Sequence, residues 1–287
     1  MWRALAKSVR RARSSARKGR ARAPVERSVL SPEPTEPCED APQQPARGAQ
    51  LRVLTLNVNW ARAGDARTLA ALGEADADLV FLQETNAAWE AALEPALAGR
   101  YPHRRYRHCD RAGGLAVLSR WAFEERDYLP AAPGAWWPAW RLLFETPLGR
   151  VQALHLHLFP QIEPSGATSL RGWLGSRAVR LAEVRSHAQS LEPGLPTLVV
   201  GDLNENLHGR ALGYLRARGL STALGSHQLT WRWPTRLGTV RLQLDHVVHC
   251  ARLRPVRVEV LERGGSDHLP VLCTFEAADA APASPGT

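Results

Sequence analysis

The sequence predicts an α/β domain built as a sandwich of mixed β-sheets with helices on its outside. Runs with the alternation of β-strands outnumber runs with helical periodicity, eight to four. Some strands follow one another across hairpin-length links and others are separated by a helix, so antiparallel and parallel neighbours belong in the same sheets. Segments without a periodic apolar face close both ends of this alternation.

In order, strands are expected at 51–58 (LRVLTLNV), 78–83 (DLVFLQ), 114–120 (GLAVLSR), 140–146 (WRLLFET), 151–158 (VQALHLHL), 196–202 (PTLVVGD), 241–248 (RLQLDHVV) and 268–275 (HLPVLCTF). Each is a short run of apolar and β-branched residues. Helices are expected at 65–75, 87–98, 175–191 and 209–219, where the apolar period lengthens. The domain therefore covers residues 51–276. Residues 25–50 repeat Pro, Glu, Gln and Thr and read as a disordered linker, and 277–287 is a second Ala/Pro-rich tail.

The chain carries 37 basic and 28 acidic residues. Nine of the basic ones fall in residues 1–24, which contain no acid, so residues 25–287 balance at 28 against 28. The formal charge of +9 thus belongs to the tail. A balanced body has no obligatory electrostatic footprint for long nucleic acid, although a local cleft can still be basic. Residues 1–24 have the Arg-rich, acid-free composition of an organelle transit peptide, and equally suit a disordered arm that touches polyanions such as nucleic acid or an anionic membrane. Cys38, Cys109, Cys250 and Cys273 stand far apart without a CxxC, which fits reduced thiols, an intracellular location and no thiolate metal site. No apolar run reaches bilayer length.

Six strands end in chemistry. Asn57 closes the first, Glu84 follows VFLQ, His155 and His157 end VQALHLHL, Asp202 and Asn204 follow TLVVG, Asp245 ends RLQL, and Asp267 with His268 opens the last. Rigid strands that terminate in acids, amides and imidazoles are where sites are built. The set offers oxygen ligands for a hard divalent cation and imidazoles for proton or phosphate work. Neither HExxH nor GxSxG is present, so zinc hydrolysis fits poorly and a serine elbow is unsupported.

Between Leu51 and Phe275 the ordered set LTLNVNW, FLQET, GGLAVLSR, ALHLHL, VVGDLNEN, TWRW, LDHVV and GGSDHLPV resembles the endonuclease/exonuclease/phosphatase superfamily. The resemblance implies a DNase-like fold, a four-layered sandwich of two mixed β-sheets flanked by helices. It also implies Mg²⁺- or Mn²⁺-dependent hydrolysis of a phosphoester, with a nucleic acid as first substrate. In those roles Glu84 is the principal metal ligand, with Asn57 beside it and Asp267 a metal-side carboxylate. Asp202 orients or deprotonates water, Asn204 grips the phosphate, His157 and His268 meet the scissile phosphate, and Asp245 polarises His268. Leu156 stands where the family has Thr, which leaves open whether His155 joins His157.

Each motif also has a plainer reading. GDLNEN suits an ordinary turn, Glu84 the acidic start of a helix, and Asp267 a turn cap. Their joint occurrence at strand ends favours a site. Trp231 is a candidate substrate contact; WWPAW at 136–140 packs a core or walls the site. Arg120, Arg141, Arg177 and Arg232 either bind phosphate or pair with acids. A lipid or small-molecule phosphodiesterase, and a non-catalytic scaffold, are the alternatives. Neighbours on a strand point apart, so Asp267 and His268 are expected to work separately, His268 partnering Asp245 while His246 stands by.

Overall fold

A computed structural model of the chain describes residues 48–161 and 170–278. The basic segment 1–24, all but the end of the linker, and the tail beyond residue 278 lie outside the described residues.

Two six-stranded sheets form the molecule. The first is ordered β13 (Leu253–Val260), β14 (Val271–Ala277), β1 (Gln50–Asn57), β2 (Leu79–Thr85), β4 (Gly114–Ser119) and β3 (His103–Arg107). The second is ordered β5 (Phe123–Leu129), β6 (Ala139–Thr146), β7 (Gly149–His157), β8 (Thr197–Asp202), β12 (Asp245–Cys250) and β9 (Leu220–Thr222). A separate hairpin joins β10 (Trp231–Thr235) to β11 (Gly238–Leu242). Each large sheet has one parallel pair, β1 with β2 and β7 with β8, and the rest is antiparallel. Helix α1 (Ala66–Glu74) crosses between β1 and β2, and α3 (Leu170–His187) between β7 and β8; α2 (Ala87–Leu97) and α4 (Arg210–Ala217) are the other α-helices among the described residues. No helix among the described residues is long and apolar enough to cross a membrane. The predicted class, two mixed sheets flanked by helices, is the observed one.

The side-chain period of two explains where the site must be. On β1, Leu51 and Val53 enter the core between the sheets, while Leu54 and Leu56 pack outward beneath α1 and α2. Val151 and Ala153 of β7, Leu198 and Val200 of β8, and Val247 of β12 line the same inner core. Following each inner row to one end of its strand leads to Asn57, Gln83, His157, Asp202 and Asp245. The inter-sheet core therefore turns polar at one mouth. Gly201 keeps β7 and β8 close there: its φ is +140°, and a Cβ would stand 1.9 Å from the Leu156 carbonyl oxygen.

Several sequence expectations need correction. The strands β3, β5, β9, β10 and β13 carry no apolar run; β3, HRRYR, and β5, FEERDYL, are exposed edge strands whose polar faces hide the pattern. The expected strand 241–248 is two elements, because β11 leaves for its own hairpin and β12 begins at Asp245. The last strand begins at Val271, since Pro270 supplies no N–H to a ladder; Asp267 and His268 lie in the loop before it. The helix expected at 175–191 starts at Leu170 and gives way at Ala188–Ser190 to a 3-10 turn.

Buried polar groups fasten α3 to the loops that bear the site. Arg180, almost wholly buried, donates Nε to Glu205 Oε1 at 3.1 Å and Nη1 to the Phe159 carbonyl at 3.0 Å. Glu205 Oε2 caps the Ala211 N–H at the start of α4, and Glu183 Oε2 accepts the Phe159 N–H at 2.8 Å. Among the described residues Glu183 Oε1 has no partner, and burial pushes this carboxyl up to about 8 against the opposing influence of Phe159 N–H and Arg180. A raised folded value means that the stabilisation is complete below about 4.5 and lost as pH rises through about 8. Glu183→Gln, which mimics the protonated acid, is expected to gain stability relative to wild type on going from acid to alkaline pH, by up to about 1.4 kcal/mol per pH unit inside that window. Chemical denaturation across pH measures it, and parallel pH profiles for the two proteins would contradict it.

Candidate active site

Asp202 is the centre of the mouth. Its Oδ2 accepts Asn57 Nδ2 at 3.1 Å and lies 3.6 Å from Nε2 of both His157 and His268. Its Oδ1 accepts the Asn204 N–H at 2.9 Å, a contact made possible by the left-handed backbone of Asn204, φ 50°. Strand register brings the partners together: His157 faces Asp202 across the parallel β7–β8 pair, and Asp245 faces Asp202 across the antiparallel β12–β8 pair.

His268 reaches this point from the other sheet. Its Nδ1 donates to Asp245, 2.8 Å from Oδ2 and 3.1 Å from Oδ1. Asp245 Oδ2 also accepts Thr230 Oγ1 at 2.7 Å, and the Thr230 hydroxyl in turn receives the N–H groups of Leu244 and Asp245 at 3.0 Å. Ser266 holds the His268 backbone: its Oγ accepts the His268 N–H at 3.1 Å and donates to the Asn57 carbonyl at 2.7 Å. The contact between the two Asp-His dipeptides is thus Asp245 to His268. His246 points away, bonded to the Glu205 carbonyl and to Thr222.

Glu84 belongs to the outer row of β2 by alternation, yet it meets Asn57 Nδ2 at 3.0 Å. A register shift against β4 between Gln83 and Thr85 and a φ of 60° at Glu84 turn it inward. Its Oε2 accepts the Trp60 N–H at 3.2 Å. Asn57 therefore links Glu84 to Asp202 through its Nδ2 donor, while its Oδ1 receives the Asn59 N–H at 3.0 Å. Asp267 stands on the same side, accepting Asn59 Nδ2 at 2.9 Å and Trp231 Nε1 at 3.1 Å. Asp267 and His268 do serve different partners, but because the loop separates them rather than a strand pleat.

The remaining expected residues divide. His157 donates Nδ1 to the Ala112 carbonyl at 3.1 Å, leaving Nε2 toward Asp202. His155 sits one pleat deeper, takes Gln83 Nε2 at 2.8 Å and packs edge-on to Phe81, so it stays in the core below the site. Asn204 lies at the site with Nδ2 on the Leu158 carbonyl at 2.9 Å and a second N–H on the same amide. Trp231 forms an isolated bridge with His268. Arg120 pairs with Asp76 and Asp78, Arg141 with Asp127 and Glu192, and Arg232 with Glu262, while Arg177 lines a cavity with Arg180, Asn206 and His208.

Of the two readings of WWPAW, the site wall holds for Trp137, whereas three supporting residues, Asn59, Thr230 and Ser266, carry no signal of their role in the sequence. Trp137 stacks on the His157 ring, centroids 3.9 Å apart and 18° between planes. Asn59, Thr230 and Ser266 orient Asp267, Asp245 and His268. Asn59, Thr230 and Ser266 sit inside the quoted LTLNVNW, TWRW and GGSDHLPV, but nothing in their spacing marks them as supports.

Burial governs the electrostatics. It is the largest influence on Asp202, pushing the carboxyl up to about 7, with Asp245 adding and His268, Asn57 and Asn204 opposing. Burial alone would lower His268, but Asp245, Asp202 and Asp267 outweigh it and raise the imidazole to about 10. His157, buried and beside His268, falls to about 3 and is neutral. Burial raises Glu84 despite Asn57, His268 and Trp60. Burial also pushes on Asp267, but His268, Asn59 and Trp231 hold it below the usual carboxylate range.

Four carboxylates thus surround one imidazolium, and among the described residues none of them is paired with Arg or Lys. Such an excess fits a bound divalent cation. Ligand-type atoms of Asp202, Asp245 and His268 gather within 4.8 Å of one another. A protonated His268 that donates to Asp245 has no lone pair to offer there, so Glu84 and Asp267, which among the described residues form no ion pair with His268, suit the ion better.

Residues 54–268 match the Endonuclease/Exonuclease/phosphatase family. No curated protein matches the chain in sequence. Solved structures share the fold: an endonuclease/exonuclease/phosphatase from Beutenbergia cavernae has 19% identity and a TM-score of 0.61, over 80% of this chain and 72% of that one. D. rerio TDP2 complexed with a single-strand DNA product has 18% identity and a TM-score of 0.57, over 79% and 99%. Sphingomyelinase C from Streptomyces griseocarneus has 22% identity and a TM-score of 0.56, over 79% and 99%. With its matched span and two-sheet architecture, the chain belongs to the endonuclease/exonuclease/phosphatase family of phosphoester-hydrolysing enzymes.

Proposed function

We propose that the protein is a Mg²⁺-dependent phosphodiesterase, with Mn²⁺ an acceptable substitute. The observation that carries this reading is the position of Asp202, tuned to about 7 by burial and flanked at 3.6 Å by two imidazoles at the mouth of the core. A base works best when its pKa lies near the working pH. Glu84 and Asp267 would hold the cation, with Asn57 fixing Glu84 relative to Asp202. When bound, the ion would neutralise a phosphate oxygen and the extra charge of an in-line transition state.

The chain's own groups do the rest. Ionised Asp202 orients a water and takes its proton. His268, kept protonated by Asp245, presents Nε2–H to the phosphate. Asn204 offers its second amide N–H. His157 has Nδ1 committed to Ala112, so it can meet phosphate only through Nε2, after gaining a proton that burial disfavours until negative charge arrives. Donors fixed in advance stabilise the transition state more than the ground state.

A nucleic acid is the first substrate suggested by the sequence, and TDP2 bound to a DNA product supports a nuclease-like reading. The pairing of Arg120, Arg141 and Arg232 with acids weighs against a long phosphate track. A lipid phosphodiester is the second reading, favoured by an exposed apolar hairpin rooted in the site.

Turnover of a bis-aryl phosphodiester is expected to vanish with EDTA and return with Mg²⁺; activity unaffected by the chelator would contradict metal dependence. Asp202→Asn and His268→Ala should each lower kcat by about 10²–10³ with circular dichroism unchanged. Full turnover by either variant would remove it from the site. The kcat–pH profile should rise through about 7 as Asp202 ionises and fall near 10 as His268 loses its proton. A profile that instead falls through neutrality would contradict these two roles.

A further inference from the structure

The hairpin of β10 and β11 does not fit the body it projects from. Its cross-strand pairs place Trp231 opposite Leu242 and Trp233 opposite Val240, so these four side chains share one face. Trp231 and Trp233 stack with centroids 6.0 Å apart and 8° between planes. Among the described residues no third strand joins this hairpin. Trp233 is 45%, Val240 46% and Leu242 38% exposed, and Leu237 in the two-residue tip is 101% exposed. Of the seven large apolar side chains exposed on the described residues, these four fall within ten positions of the sequence, whereas Trp121, Tyr128 and Val256 stand elsewhere. A concentrated apolar patch of this kind marks an interaction surface.

Charge and position narrow the partner. Residues 231–242 contain Arg232, Arg236 and Arg241 and no acid. Arg232 and Arg241 share Glu262, and among the described residues Arg236 forms no ion pair. Apolar tips with Arg236 between them suit a lipid interface, where Trp and Leu enter the acyl boundary and the guanidinium group stays at the headgroups. The hairpin's root is the active site itself. Trp231 Nε1 donates to Asp267 Oδ2 at 3.1 Å, the Arg232 N–H donates to the Asp267 carbonyl at 2.9 Å, and Trp231 bridges His268.

We infer that the β10–β11 hairpin docks the protein on an anionic lipid surface through Trp233, Leu237 and Val240, so that the phosphodiester cleaved belongs to a lipid headgroup. This rests on the phosphodiesterase reading above and names its substrate class.

The test is co-sedimentation of the full chain with vesicles of phosphatidylcholine and phosphatidylserine, for wild type, Leu237→Asp and Trp233→Ser. Turnover of the soluble bis-aryl phosphodiester is measured in parallel. Both variants carry the basic residues 1–24, so any difference reports the hairpin. Wild type should bind, and each variant should bind about tenfold more weakly or worse, while turning over the soluble substrate at the wild-type rate. Equal vesicle binding by all three proteins, or none by wild type, would overturn the inference. A wild-type dimer that Leu237→Asp converts to monomer without loss of vesicle binding would give the face to a second copy and overturn it as well. Failure of wild type on every soluble phosphoester, with hairpin-dependent vesicle binding retained, would sink the catalytic reading and leave the docking surface standing.

Discussion

Four carboxylates gathered around a single imidazolium, in a region largely closed to water, are the constraint to which the rest of the structure answers. Isolated buried charges are too costly to keep, so each must be paired, hydrogen-bonded or neutralised. Asp245 is satisfied by His268 and Thr230, and Asp267 by Asn59 and Trp231. Glu84 and Asp202 share Asn57 and remain raised by burial. The proposed cation, held by Glu84 and Asp267, sits against this thinly compensated pair. One uncompensated region therefore accounts for the pKa of Asp202, the protonation of His268 and the expected requirement for metal.

The two sheets make the constraint possible because their inner rows are apolar for most of their length. Leu51, Val53, Val151, Ala153, Leu198 and Val200 supply a rigid base, and polar residues at the row ends inherit its precision. Behind them, Arg180, Glu183 and Glu205 tie α3 to the Phe159 and Asn204–Glu205 segments. Strain is accepted at three points next to this base: Asn59, Glu84 and Asn204 all adopt positive φ, and all three side chains belong to the site.

Much of this was legible in residue types. Apolar runs that end in Asn57, His157, Asp202 and Asp245 announce a polar mouth, and the order of motifs points to the family and to its two-sheet fold. What could not be read follows from non-local geometry. The inward turn of Glu84 depends on a bulge against β4. The stacking of Trp137 on His157 joins residues twenty positions apart on different elements. Edge strands β3 and β5 lack an apolar signature because one face of each meets solvent. His155 and His157 share a strand face, and only the spacing of the sheets decides that one is core and the other site.

Calorimetric titration of Mg²⁺ into the metal-free full chain, beside its Glu84→Gln variant, tests the central claim most directly. Removal of one carboxylate ligand from a site defined by excess negative charge should weaken binding by about tenfold or more. Saturable binding to wild type with that loss in the variant is the result the account predicts. A wild-type protein that binds no divalent cation, or a variant that binds as tightly as wild type, would contradict it.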